Sequence, residues 1–324
     1  MSLPRLLADH LVLPVIGAPL FIASTPDLVI EQCKAGIVGA FPALNARPAD
    51  QLDVWLTRIE TGLAAWKAAN PGARVAPFAV NQIVHQSNDR LQHDVEVCLE
   101  HKVPVWITSL RAPPKELLDA VHGYGGVVLH DVINIRHAKK AIESGVDGLI
   151  LVCAGAGGHA GALSPFALLG EVRRFFGGII VLAGSITRGE HVLAAQAMGA
   201  DLAYMGTRWL VCHEANTSRA YKEAIVESAA ADVIYTNVFT GVHGNYLRKS
   251  IVNAGLDPDN LPSSGASKMN FGSDRKSAAK AWKDIWGVGQ GVGQIDSIES
   301  TAEAAAKLKA EYAAAKARLA AIAA

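Results

Sequence analysis

The chain has 324 residues, half of them apolar, and its 30 basic and 30 acidic side chains cancel. That balance leaves no electrostatic footprint for DNA, RNA or an anionic membrane, and the sparse aromatics argue against a base-stacking platform. Length and apolar content suffice for one large α/β domain.

Short β-branched apolar runs recur at residues 11–18, 36–41, 75–80, 103–108, 126–130, 148–152, 179–183 and 202–205. Continuous apolar runs of this kind suit parallel strands covered on both faces. Helical patterns follow them at 26–35, 49–69, 88–101, 115–123, 135–144, 165–176, 188–198 and 214–230. Eight such units predict an α/β fold, a (β/α)8 TIM barrel, over residues 1–230. A doubly wound sheet is the alternative. Its glycine fingerprint belongs after the first strand, where this chain carries Gly17-Ala18-Pro19-Leu20.

Residues 231–324 are expected to form a C-terminal extension packed on the barrel and contributing to the substrate site. Residues 232–271 hold many Gly, Asn, Ser and Pro and read as a long excursion with little regular structure. Residues 276–286 read as a short helix, and 300–324 as a terminal helix opened by a Ser300/Glu303 capping-box pair. Leu308, Tyr312, Leu319 and Ile322 line one face of it, as expected for docking on the barrel.

In such a barrel the reactive groups stand at the carboxyl ends of the strands. Those ends carry Asn81, Gln82, Thr108, Ser109, His130 and Asp131, with no lysine for a Schiff base. HExxH is absent, no metal site is expected, and Asp131 is the lone carboxylate, so no glycosidase pair is visible. A site this poor in reactive side chains draws its chemistry from a bound cofactor. Gly184-Ser185 and Gly206-Thr207, at the ends of the last two strands, suit a phosphate. His159 sits in Cys153-Ala-Gly-Ala-Gly-Gly-His-Ala-Gly161, a loop with little bulk to bury it, which favours catalysis over a structural role. His130 is a weaker candidate for cofactor contact, because Asp131 can simply hold it in place. Asn81 either bonds a flavin pyrimidine edge or caps the next helix, for which Asn88 is better placed.

The four cysteines, Cys33, Cys98, Cys153 and Cys212, lie far apart without a CxxC or zinc spacing, which points to a reducing, cytoplasmic compartment. Asp9 and His10 interrupt the first apolar stretch, so no signal peptide is expected, and no apolar run reaches membrane-spanning length.

In these residues the chain resembles the nitronate monooxygenase family, FMN-containing TIM barrels formerly called 2-nitropropane dioxygenases. The Ala156-Gly-Gly-His-Ala-Gly161 loop carries the resemblance. It implies that His159 faces the flavin as catalytic base and that Gly157 and Gly158 lie in a loop approaching FMN. It implies backbone contacts from Ala18 and Pro19, a ring contact from Asn81, and a phosphate site at Gly184, Ser185, Tyr204, Met205, Gly206 and Thr207. The family pattern usually has glutamine at Gly17, methionine at Leu20 and a second glycine at Ser185, and some members place lysine after the fifth strand, where this chain has His130-Asp131. These departures bear on substrate and reductant more than on FMN.

The implied reaction is oxidation of alkyl nitronates or nitroalkanes with O2 to a carbonyl compound and nitrite. An NAD(P)H-dependent reduction of quinones or enoyl thioesters is the second reading, although no arginine cluster for a 2′-phosphate is evident. A flavin-free barrel binding a phosphorylated metabolite is the third. The expected partners are small molecules, with no nucleic acid and no membrane, and the chain is expected to be a monomer or homodimer.

Overall fold

A computed structural model of the chain describes residues 3–262, 271 and 284–323. Six parallel strands come first: β1 (Val15–Gly17), β2 (Gly39–Pro42), β3 (Phe78–Val84), β4 (Val105–Leu110), β5 (Val127–Val132) and β6 (Gly148–Val152). A two-residue strand outside the barrel, β7 (Gly158–His159), follows, and then β8 (Ile179–Ala183) and β9 (Leu202–Met205) complete the set. Strand order round the sheet follows chain order, β9 pairs with β1, and a bridge between Ile16 and Val38 closes the ring. The expected (β/α)8 barrel is present.

Each strand shows alternate side chains to the two faces. Ile16, Val38, Ile107, Leu129, Ile150 and Val181 meet one another in the lumen. Their neighbours Val15, Phe41, Trp106, Val128, Leu149 and Leu182 pack outward, in the layer shared with the helices. The first strand is shorter than its apolar run because Pro14 has no N–H to give. A short helix, α1 (Arg5–Ala8), precedes it and brings the fully buried Leu7 into the lumen cluster.

The outer helices are α2 (Pro26–Lys34), α3 (Gln51–Ala69), α4 (Leu91–Glu100), α5 (Lys115–Gly123), α6 (Ile135–Ser144), α7 (Pro165–Arg173) and α8 (Gly189–Ala197). The helix predicted at 214–230 is shorter than expected. A single turn, α9 (Thr207–Leu210), leaves β9, and α10 (Arg219–Val226) starts late because the Ser218 hydroxyl caps it by accepting from the Tyr221 N–H. No helix among the described residues is long and apolar enough to cross a membrane.

The extension departs from expectation. Residues 232–271 are expected to hold little regular structure, yet they contain β10 (Val233–Thr236), β11 (Gly244–Leu247) and α11 (Arg248–Asn253). β10 and β11 form an antiparallel pair, and β11 also pairs with β7, setting Gly244 opposite His159 and Asn245 opposite Gly158. The glycine loop is therefore an edge partner of the extension. Most of the short helix expected at 276–286 lies outside the described residues.

The terminal helix, α12 (Thr301–Ala323), opens with the expected capping box: the Ser300 N–H donates to Glu303 at 2.8 Å and the Glu303 N–H to the Ser300 hydroxyl at 3.2 Å. Leu308 is fully buried, but Leu319 and Ile322 are exposed, because the helix outruns the body it packs on. Contact with α8 is close. A Cβ at Gly189 would lie 2.2 Å from the Leu308 carbonyl oxygen and 2.3 Å from the Tyr312 nitrogen. Gly189→Val is therefore expected to push α12 off α8 and lower the unfolding free energy by about 1–3 kcal/mol, measured by urea denaturation.

Candidate active site

A cavity of about 2160 Å³ opens at the carboxyl ends of the barrel strands. Of the residues singled out from sequence, Ala18, Pro19, Asn81, Gly157, Gly158, His159, Gly184, Ser185, Tyr204, Gly206 and Thr207 all line it. His130 and Met205 do not, and the pleat explains both. On β5, Val127 and Leu129 face the lumen while Val128 and Val132 face outward. His130 shares the outward face, buried with Nδ1 at 2.8 Å from the Thr108 hydroxyl, and burial pulls its pKa down to about 4. Asp131, one residue on, is the group at the cavity. On β9 the same alternation turns Tyr204 inward and buries Met205 among the outer core residues.

The strained backbone also marks this place. Among the described residues four non-glycine positions have positive φ, and three of them, Ile22 (67°), Leu110 (76°) and Ser185 (55°), line the cavity. Such conformations persist only where surrounding structure holds them, and they concentrate at functional sites.

The β8 and β9 side is built from small residues. Gly206 has ordinary backbone angles, and a Cβ there would meet only Leu20 at 3.4 Å and Ala18 at 3.6 Å. The space beside it belongs to the cavity. The Thr207 hydroxyl accepts from the Gly289 N–H at 2.8 Å, which leaves its own proton to donate. Gly157 serves packing: a Cβ on it would lie 2.8 Å from the Gly289 nitrogen, so its lack of a side chain lets the 287–291 loop close over the histidine loop.

His159 is carried by β7 and braced by the extension. Its Nε2 lies 2.8 Å from the Thr240 hydroxyl, which donates in turn to the Val242 carbonyl at 3.0 Å. With that proton spent, Thr240 accepts from Nε2–H and Nδ1 is the ring's acceptor. Burial drives the imidazole pKa from the ordinary 6.5 down to about 4, so the ring is neutral at pH 7. Asn245 holds the same loop by donating from Nδ2 to the Ala156 carbonyl at 2.6 Å. Neither Thr240 nor Asn245 was legible beforehand; both lie in a segment without periodicity, more than 80 residues from the loop they brace.

Opposite, β3, β4 and β5 present a polar row. Asn81 donates from Nδ2 to the Ser109 hydroxyl at 2.7 Å, and Ser109 donates to Asp131 Oδ2 at 2.6 Å. Burial raises the Asp131 carboxyl to about 6, offset in part by the Ser109 hydrogen bond. Arg47 and Arg90, 43 residues apart, also meet at the cavity, where burial and then Arg90 lower the Arg47 pKa. Sequence spacing concealed their approach; Arg90 is itself ion-paired with the buried Asp94 at 2.9 Å. Cys153 and Cys212 are buried, with thiols pushed up to about 12, and no cluster of potential metal ligands occurs among the described residues.

Comparison with known proteins agrees with this architecture. Residues 44–311 match the family model described as nitronate monooxygenase. A Mycobacterium tuberculosis protein named as a monooxygenase is 27% identical over 229 residues, covering 67% of this chain and 61% of that one, less than two thirds of its length. A nitronate monooxygenase of Paraburkholderia phytofirmans is 25% identical over 308 residues, covering 83% of this chain and 82% of that one. The solved nitroalkane oxidase of Streptomyces ansochromogenes superposes with a TM-score of 0.80 at 23% identity, covering 97% of this chain and 99% of that one, which shows the shared fold. With a family match spanning most of its length, the chain belongs to the nitronate monooxygenase family.

Proposed function

We propose that the protein oxidises alkyl nitronates, and nitroalkanes through them, with O2 as acceptor and FMN as cofactor. The observation that carries this reading is His159, a neutral imidazole on the cavity wall with Nε2 at 2.8 Å from the Thr240 hydroxyl.

The residues fit FMN. Gly184, Ser185, Gly206 and Thr207 form a cradle without bulk or acidic side chains, and Thr207 keeps one hydroxyl proton for a phosphate. Asn81 and Ala18 lie on the walls that the ring of such a cofactor would meet. When bound, the flavin supplies the redox chemistry, taking electrons from the nitronate and passing them to O2.

The chain's own part is proton handling and exclusion of water. Neutral His159 on the cavity wall can accept the α-proton of a nitroalkane. Its low basicity is offset as negative charge develops beside it, since an adjacent anion favours the imidazolium. The 287–291 loop and the β10–β11 pair close that side of the cavity and hold the ring in place. The extension is thus on the substrate side of our reading.

Purified protein with bound FMN that releases nitrite from propyl-2-nitronate supports the proposal; a protein that cannot be loaded with FMN defeats it. Anaerobic mixing with NADH or NADPH separates the reductase reading, which requires rapid bleaching of the flavin. His159→Asn is expected to keep FMN and to lose turnover on neutral nitroalkanes by roughly two to four orders of magnitude. Gly206→Asp meets no backbone obstacle, so it is expected to fold and to weaken FMN binding by roughly 100-fold through repulsion of the phosphate, measured by equilibrium dialysis.

The pH dependence has a definite sign. His159 has a depressed pKa, so its neutral form is retained as pH falls from 6.5 toward about 4. The acid limb of kcat/KM on neutral nitroalkanes is expected below 6.5 and absent from His159→Asn. The same shift makes folding stability complete above 6.5 and diminishing as pH falls toward about 4, because the unfolded chain takes up the proton first.

A further inference from the structure

Asn81, Ser109 and Asp131 stand side by side on the inner face of three adjacent strands, and all three line the cavity. Their hydrogen bonds run in one direction only. An ionised carboxylate accepts and cannot donate, so the single Ser109 proton goes to Asp131 Oδ2 at 2.6 Å. The lone pairs of Ser109 are then what Asn81 meets, and its Nδ2 donates to them at 2.7 Å. The second Nδ2 proton goes to the Ile107 carbonyl at 3.2 Å. Both amide protons are spent on the barrel wall, and Asn81 Oδ1 is the polar atom of this side chain left to a ligand.

We propose that Asp131 is a positioning residue that, acting through Ser109, locks the Asn81 amide with its carbonyl toward the ligand, so that the cavity floor selects a ring edge bearing an N–H donor. This rests on the flavin reading above. The oxidised isoalloxazine ring has one such group, the imide N3–H between two carbonyls. A cavity showing an amide NH2 at this point would instead favour one of the flanking carbonyls. Asp131 never touches the ring in this scheme; it determines which face of Asn81 the ring finds. The groups around the carboxyl fit the role. Ser109 from β4 hydrogen-bonds it, Tyr204 from β9 is the titratable neighbour, and His130 faces the other side of the sheet. No lysine or arginine among the described residues pairs with it.

The test uses the full chain stripped of flavin and reloaded with ¹⁵N-labelled FMN. In the parent protein the N3–H resonance is expected downfield of free FMN and slow to exchange with water. Ser109→Ala and Asp131→Ala release the amide, so both are expected to move that resonance back toward the free value and to weaken FMN binding about tenfold. Ser109→Thr keeps the hydroxyl and is expected to behave as the parent. An unchanged N3–H resonance and affinity in both alanine variants, with FMN still bound, overturns the relay and leaves the flavin reading intact. Failure of the parent chain itself to bind FMN overturns the flavin reading, and the relay with it.

Discussion

The pleat of the barrel strands is the constraint from which the site follows. A closed parallel barrel sends every second side chain into the lumen, and at the carboxyl ends the lumen becomes the cavity. One residue of register therefore separates a ligand-facing group from a core group. Asp131 and Tyr204 are inside; His130 and Met205, their immediate neighbours, are outside. Across β3, β4 and β5 the same alternation aligns an amide, a hydroxyl and a carboxyl into one polar row.

The barrel does not finish the site by itself. The glycine loop leaves β6 with few side chains of its own, so it cannot bury itself or fix its histidine. The extension supplies what is missing: β11 gives β7 an antiparallel partner, Asn245 ties down the Ala156 carbonyl, and Thr240 sets the tautomer of His159. Glycines in both loops permit this closeness, because any Cβ at Gly157 or Gly289 would press on the facing backbone. The extension is held in turn by a buried ion pair between Arg208, just after β9, and Glu299, just before α12.

Burial acts in opposite senses on the two titratable groups that matter most. It disfavours the charged form of both, lowering the His159 pKa and raising that of Asp131. The neutral His159 ring thus faces the same cavity as a carboxyl that, with its pKa raised to about 6, is still ionised at neutral pH. Arg47 and Arg90 stand at the edge, with Arg90 in an ion pair with the buried Asp94 at 2.9 Å.

Much of the molecule was legible in the sequence. Eight apolar runs at regular spacing state a barrel, the Ser300/Glu303 pair states a helix start, and a histidine among glycines states a place that a ligand can approach. These are local signals, written by neighbouring residues. The pairing of β11 with β7, the meeting of Arg47 with Arg90 and the outward turn of His130 are different in kind. Two of them join segments dozens of residues apart, and the third depends on strand register at a single position. Apolar periodicity was enough to determine the barrel and the end of it that holds the site. Only the closed sheet and its antiparallel cover decided which side chains face the cavity, because long-range pairing and pleat parity are set by the whole ring at once.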